Sequence, residues 1–261
     1  MVYAHRDDIF DADTHMMEHP DWIHQFADKS IQDKLEPIAE GDKDVRLRID
    51  NAIKGFEERQ NSPDVLEKAK EEFMGWKHKG WDGLGAFNAE ERKLANDLLG
   101  FKAHLVFPTS AFDQVLAAKE PKVILGGVEA LNKGMAEFCS VDKRMFGAAY
   151  IPFSYGEEIA FNILNQSIQQ GSKVILIDTI APEGTKAFTH PDFDVVWKTI
   201  QDNDITITLH VGADNSWDPV PLSFYNNGSE VPPHKEGDAP RDALAYMGIS
   251  YNAELFLASM I

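Results

Sequence analysis

Basic residues are scarce in this chain. Across 261 residues, 25 lysines and arginines stand against 43 aspartates and glutamates, a formal net charge of -18. A surface that acidic repels phosphate backbones and argues against nucleic acid as a partner. Cysteine is nearly missing as well. The single Cys139 cannot close an internal disulfide, and its setting in Met135-Ala-Glu-Phe-Cys139 suggests a buried thiol rather than a nucleophile. No apolar stretch approaches the length of a membrane span, so no membrane partner is expected. Met1 is followed by His5, Arg6 and Asp7 rather than by the apolar core of a signal peptide. A soluble, reducing, cytoplasmic setting is the expectation. Neither G-x-G-x-x-G nor G-x-x-x-x-G-K-[ST] follows any apolar run, which removes the main support for a nucleotide-binding sheet.

What is present is enough apolar material for a full core, 43% of the chain, and a regular rhythm. Residues 103–107, 146–151, 173–178 and 205–210 are short, mostly apolar runs that read as strands. Between them, helices are expected at 128–139, 156–170 (Ile159, Ile163 and Ile168 inward, Gly171 closing it) and 191–202, the last capped by Thr189-His-Pro191. Buried strands alternating with helices indicate a parallel α/β sheet, either doubly wound or a (β/α) barrel. Before this rhythm begins, a short helix is expected within 21–28 (Trp22, Ile23 and Phe26 on one side). A charged, mostly helical insertion follows at about 29–85, with a helix starting at Asn61-Ser-Pro63-Asp64. Its tip, Lys77-His-Lys-Gly80-Trp-Asp-Gly83-Leu-Gly85, reads as a plain surface loop or as a lid over a substrate. A helix over 89–99 then places Leu94, Leu98 and Leu99 on its apolar side.

Chemistry concentrates in Ile9-Phe-Asp-Ala-Asp-Thr-His-Met-Met-Glu-His-Pro20. On an extended strand, alternate side chains share a face. Asp13 and His15 therefore project together from the strand end, with Asp11 one step deeper. A carboxylate beside an imidazole is half of a divalent-metal site, and Asp11 is placed to hydrogen-bond a ligand rather than to be one. The same residues could serve only as caps and turns. In a (β/α) barrel the strand ends converge on one mouth. His210, closing the apolar run 205–210, joins Asp13 and His15 there as a candidate ligand. Thr109, Ser110, Tyr150 and Asp178 are candidate pocket residues by strand-end position, and ordinary strand-end residues otherwise. His190 reads as a cap or surface residue, and His104 as the start of a strand.

Taken together, Asp11-Ala-Asp-Thr-His15 with Glu18 and Pro20, the segments Ala130-Leu-Asn-Lys-Gly-Met-Ala-Glu-Phe-Cys-Ser140 and Arg144-Met-Phe-Gly-Ala-Ala-Tyr-Ile-Pro152, and His190-Pro-Asp-Phe-Asp194, Trp197 and Leu209-His-Val-Gly212 resemble the amidohydrolase-related proteins. These are the relatives of aminocarboxymuconate-semialdehyde decarboxylase and γ-resorcylate decarboxylase. The resemblance implies a distorted TIM barrel, (β/α)8, over one domain spanning 1–261. It implies one divalent metal, zinc first and manganese or iron as alternatives, held by Asp13, His15 and His210, with Asp11 and Glu18 behind them. It also implies a metal-dependent hydrolase or carboxy-lyase acting on a small carboxylate-bearing or aromatic molecule, and a homodimer. Asp13 stands where the decarboxylases often carry histidine or glutamate.

The same resemblance calls for a histidine after a sixth strand and an aspartate after an eighth. About five strands are legible before residues 212–240, a Pro-, Gly- and Asn-rich loop whose His234 sits in a poor strand. A helical pattern over 240–261 follows (Leu244, Met247, Tyr251, Leu255, Phe256, Met260). The expectation is thus an incomplete barrel, C-terminally truncated and inactive as it stands. The alternative is a degenerate barrel acting as a non-catalytic binding protein.

Overall fold

A computed structural model describes residues 2–75, 77–182, 184–210, 227–229 and 243–261, without the side chains of 243 and 245–249. The expectations for residues 212–226, for His234 and for the Met247 side chain lie outside the described residues. The architecture is α/β. Five strands occur in the sequential order β1-β2-β3-β4-β5 with helices between successive strands, the order of a (β/α) barrel with five of its eight strands. Among the described residues no helix is long and apolar enough to cross a membrane.

The chain divides into two compact units, Met1–Ala149 with Gln169–Val174, and Tyr150–Ile168 with Ile175–Ile261. In the first unit, β1 (Phe10–His15) pairs in parallel with β2 (Ala103–Phe107), and β2 with β3 (Met145–Ile151). Phe10 faces Ala103 and Asp11 faces His104, but the next partners are Thr14 with Val106 and His15 with Phe107. Three residues on β1 thus span what two span on β2, a bulge that bends the strand. The expected unbroken alternation from Asp11 to His15 is therefore interrupted. The cause is the Asp11 side chain, which accepts from the Asp13 amide at 3.0 Å and from the Thr14 hydroxyl. An aspartate bonding the backbone two residues on competes with the ladder.

Helix α6 (Pro121–Ser140) carries proline in its first turn and buries Val128, Leu131, Met135 and Phe138. It begins seven residues before the expected 128, because Val123 and Ile124 extend the buried face to the proline. Small residues let it pack closely. A Cβ at Gly134 would lie 2.6 Å from the Trp22 ring, and one at Gly147 on β3 would lie 3.1 Å from the Cys139 sulfur. Cys139 is buried, and desolvation pushes its thiol up to about 12, which keeps it a packing group.

The helical character of 29–85 is present as α1 (Lys29–Gln32), α2 (Lys43–Asn61) and α3 (Pro63–Met74). Asp42 caps α2 by accepting from the amides of Asp44 and Val45, and Ser62 caps α3 through the Val65 amide. The helix expected within 21–28 is only a 3-10 turn, Ile23–Gln25. Helix α4 (Ala89–Leu99) runs from an Asn88 cap to Gly100 in the left-handed conformation, φ +69°. Its buried face is not the leucine side. Glu91, Arg92, Ala95 and Asn96 are buried, while Leu94, Leu98 and Leu99 are half-buried. The polar face is tolerated because it is partnered. Arg59 donates to the two Glu91 carboxylate oxygens at 2.6 and 3.0 Å, and a buried charge pair needs that bidentate geometry. A short helix that no local sequence pattern announces, α5 (Ser110–Leu116), follows β2.

The second unit holds the end of β3, then α7 (Glu157–Gln169), β4 (Val174–Ile177), α8 (Asp194–Asp202), β5 (Thr206–Thr208) and α9 (Ala243–Ser259). The buried face of α7 is Ala160, Ile163, Leu164 and Ser167, rotated from the expected isoleucine stripe so that Ile159 and Ile168 are half-buried. The core here is aromatic. Phe153 stacks on Phe193 at 5.5 Å and lies tilted against Trp197 at 4.9 Å, and Phe256 of α9 joins from 6.4 Å off Trp197. The Trp197 indole N–H donates to the Phe188 carbonyl at 2.8 Å, so its polar atom is satisfied inside the cluster.

Candidate active site

The C-terminal end of β1 brings two of the expected residues together. Asp13 Oδ1 and His15 Nε2 lie 3.3 Å apart, with the Asp13 side chain exposed and His15 half-buried. Asp13 lies within the bulge and His15 just past it. The other ring nitrogen of His15, Nδ1, is 2.9 Å from the Thr109 hydroxyl at the end of β2. The His15 ring also lies against Phe107, 5.8 Å between centroids. A carboxylate oxygen and an imidazole nitrogen side by side form a donor set suited to a divalent first-row cation, and the second ring nitrogen has the outer partner that such a ligand needs.

Glu18 lies three residues on and is fully buried. Its carboxylate accepts from the Thr109 amide at 2.9 Å and the Ala111 amide at 3.2 Å. Burial pushes the group up to about 7, and the amide donors only partly oppose it. Glu18 therefore ties the loop after β1 to the start of α5, rather than simply turning the chain. Asp11 is held at about 2. Partial burial works to raise it, but His104 beside it, the Thr14 hydroxyl and the Asp13 amide outweigh that cost. Asp11 thus organises the bulge beneath Asp13.

Two further residues, Arg92 and His104, belong to this frame. Arg92 is buried and donates to the carbonyls of Gly85 at 2.6 Å, His15 at 2.8 Å and Ala86 at 3.3 Å. Desolvation lowers it to about 10, so it stays charged near neutral pH. His104 is buried on β2, its Nδ1 3.8 Å from Asp11. No local pattern announces either. Arg92 sits among charged helix residues, and His104 needed the strand pairing to be placed. The glycine-rich tip is pinned to the same loop. The Trp81 indole donates to the Glu18 carbonyl at 2.8 Å, and the Met17 amide to the Ala86 carbonyl at 2.9 Å.

The remaining candidates lie on other elements. Ser110 opens α5 and is half-buried. His210 is half-buried just past β5, in the second unit. In that unit the buried Tyr150 hydroxyl donates to the buried Asp178, which also accepts from the Ser154 amide at 2.8 Å. This pairing fastens the turn after β3. Burial and the Asp178 charge raise Tyr155. His190 accepts from the Asp192 amide at the start of the turn before α8, the capping role expected for it.

A solved amidohydrolase shares this fold. Its crystal structure, from Mycobacterium avium subsp. paratuberculosis K-10, aligns with a TM-score of 0.63 over 99% of this chain and 68% of that one, at 14% identity. At that identity the likeness is one of fold. No protein-family model matches the sequence, and no curated protein matches it.

Proposed function

We propose that the chain is a metal-dependent hydrolase, with Asp13, His15 and His210 as ligands to one divalent ion, zinc by preference. The observation that carries the reading is the 3.3 Å pairing of Asp13 Oδ1 with His15 Nε2 at the C-terminal end of β1, where (β/α) barrels keep their active sites. His210 follows the end of another strand of the same parallel series. A bound divalent ion would supply Lewis-acid activation of water or of a substrate oxygen. Asp13 contributes the charge that a hard cation favours, and His15 and His210 the neutral imidazoles that favour zinc. Thr109, whose hydroxyl lies 2.9 Å from His15 Nδ1, and the adjacent Ser110 are the pocket residues of this reading, and a small carboxylate-bearing or aromatic molecule is its substrate class.

Hydrolysis of a C–N or C–O bond is preferred to decarboxylation because the solved protein with this fold is described as an amidohydrolase. The carboxy-lyase reading rests on the sequence resemblance. Metal analysis of the purified chain, followed by zinc titration of Asp13→Ala, His15→Ala and His210→Ala, tests the proposal. One tightly held ion, lost in each variant, is expected. A chain that takes up no metal, or variants that bind as well as the native chain, would overturn it.

A further inference from the structure

The N-cap threonine of a helix ordinarily turns its hydroxyl back to the amides of the first turn. Thr109 occupies that position at α5 and makes no such bond. The amides of Thr109 and Ala111 are instead taken by the two oxygens of Glu18, a residue more than ninety positions earlier and fully buried. The capping duty is thus performed from outside, and the Thr109 hydroxyl is left to meet His15 Nδ1 at 2.9 Å. The backbone of His15 is fixed separately, its carbonyl accepting from Arg92 at 2.8 Å.

We infer that Thr109, anchored by Glu18, is a positioning residue that accepts the Nδ1–H of His15 and so keeps the Nε2 lone pair turned toward Asp13. This deepens the metal-site reading and rests on it for its purpose, although the hydrogen bond itself does not depend on a metal. A neutral imidazole has one N–H, and whichever nitrogen donates leaves the other as the ligand atom. His15 Nε2 is already 3.3 Å from Asp13 Oδ1. Fixing the proton on Nδ1 gives two acceptor atoms facing one position. The opposite tautomer would place a hydrogen there, and that hydrogen would have to leave or move before a cation could enter.

The test uses the full chain labelled with 15N-histidine, with His15 assigned by its loss in His15→Gln. Long-range 1H–15N correlation at pH 8 distinguishes the Nδ1–H from the Nε2–H tautomer, and competition with a chromophoric chelator gives the zinc affinity. In the native chain, His15 is expected as the Nδ1–H form. Thr109→Val, which removes the hydroxyl and keeps the shape, is expected to lose that preference and to bind zinc about 10-fold more weakly. Thr109→Ser is expected to restore both. Should Thr109→Val fail to fold, Thr109→Ala carries the same two readouts. A native chain that binds no zinc defeats the metal reading, and the tautomer measurement then decides the role of Thr109 alone. An Nε2–H form in the native chain, or a Thr109→Val protein whose His15 spectrum is unchanged, would overturn the inference.

Discussion

Glu18 makes a pH-dependent prediction that can be worked through. Its carboxyl titrates near 4.5 when solvated, and burial lifts it to about 7 in the folded chain. Between these values the folded state holds a proton that the unfolded state has released, so stability falls as pH rises. Below pH 4.5 the group costs nothing. Above 7 the full cost applies, a difference of 2.5 pH units between the two values, or roughly 3–4 kcal/mol at ~1.4 kcal/mol per unit, most of it developed between pH 5 and 8. Replacing Glu18 with glutamine imitates the protonated form, with one acceptor oxygen for the two amides, and cannot ionise. Urea unfolding with a chelator present, at half-unit steps from pH 5 to 8, is the assay. The native chain should lose stability relative to Glu18→Gln as pH rises, by about 3 kcal/mol over the window, while other groups cancel in the difference. Asp11, held low, acts in the opposite sense and outside this window. Its contribution is lost only as pH falls from 3.8 toward about 2. A stability difference that stays flat from pH 5 to 8 would refute the account of Glu18 as a desolvated carboxylate.

Three packing predictions follow from other parts of the structure. Arg92→Leu leaves the carbonyls of Gly85, Ala86 and His15 without their shared charged donor; a loss of about 3 kcal/mol is expected by chemical denaturation, and a neutral result would contradict the pinning role. Gly134→Ala drives a Cβ to within 2.6 Å of the Trp22 ring, for an overpacking cost of about 1–3 kcal/mol with a change in tryptophan fluorescence. Phe153→Ala empties the middle of the aromatic cluster around Phe193 and Trp197, at about 3–5 kcal/mol, read from the urea midpoint.

The elements of this fold were legible where a local pattern specifies them. Helix α4 matches its expected span because the Asn88 cap and Gly100 mark its ends. Its buried face was not legible. Glu91 is buried because Arg59 reaches it from a separate helix, and Arg92 because backbone carbonyls from the end of β1 and from the loop before α4 converge on it. Helix α5 was missed for the same reason, since its cap comes from Glu18 rather than from its own first residue. Strand alternation correctly paired Asp13 with His15. It could not foresee the bulge, which depends on Asp11 choosing the Asp13 amide and the Thr14 hydroxyl. Tyr150 and Asp178 were placed by strand ends alone, and their hydrogen bond to each other appears only once β3 and β4 are folded.

Zinc titration of the chelator-treated chain by calorimetry tests the metal site itself. One site per chain is expected, weakened or abolished by substituting alanine for Asp13, His15 or His210 and unchanged by substituting alanine for the exposed His78. Heat signals without saturation, or a site indifferent to all three substitutions, would contradict it.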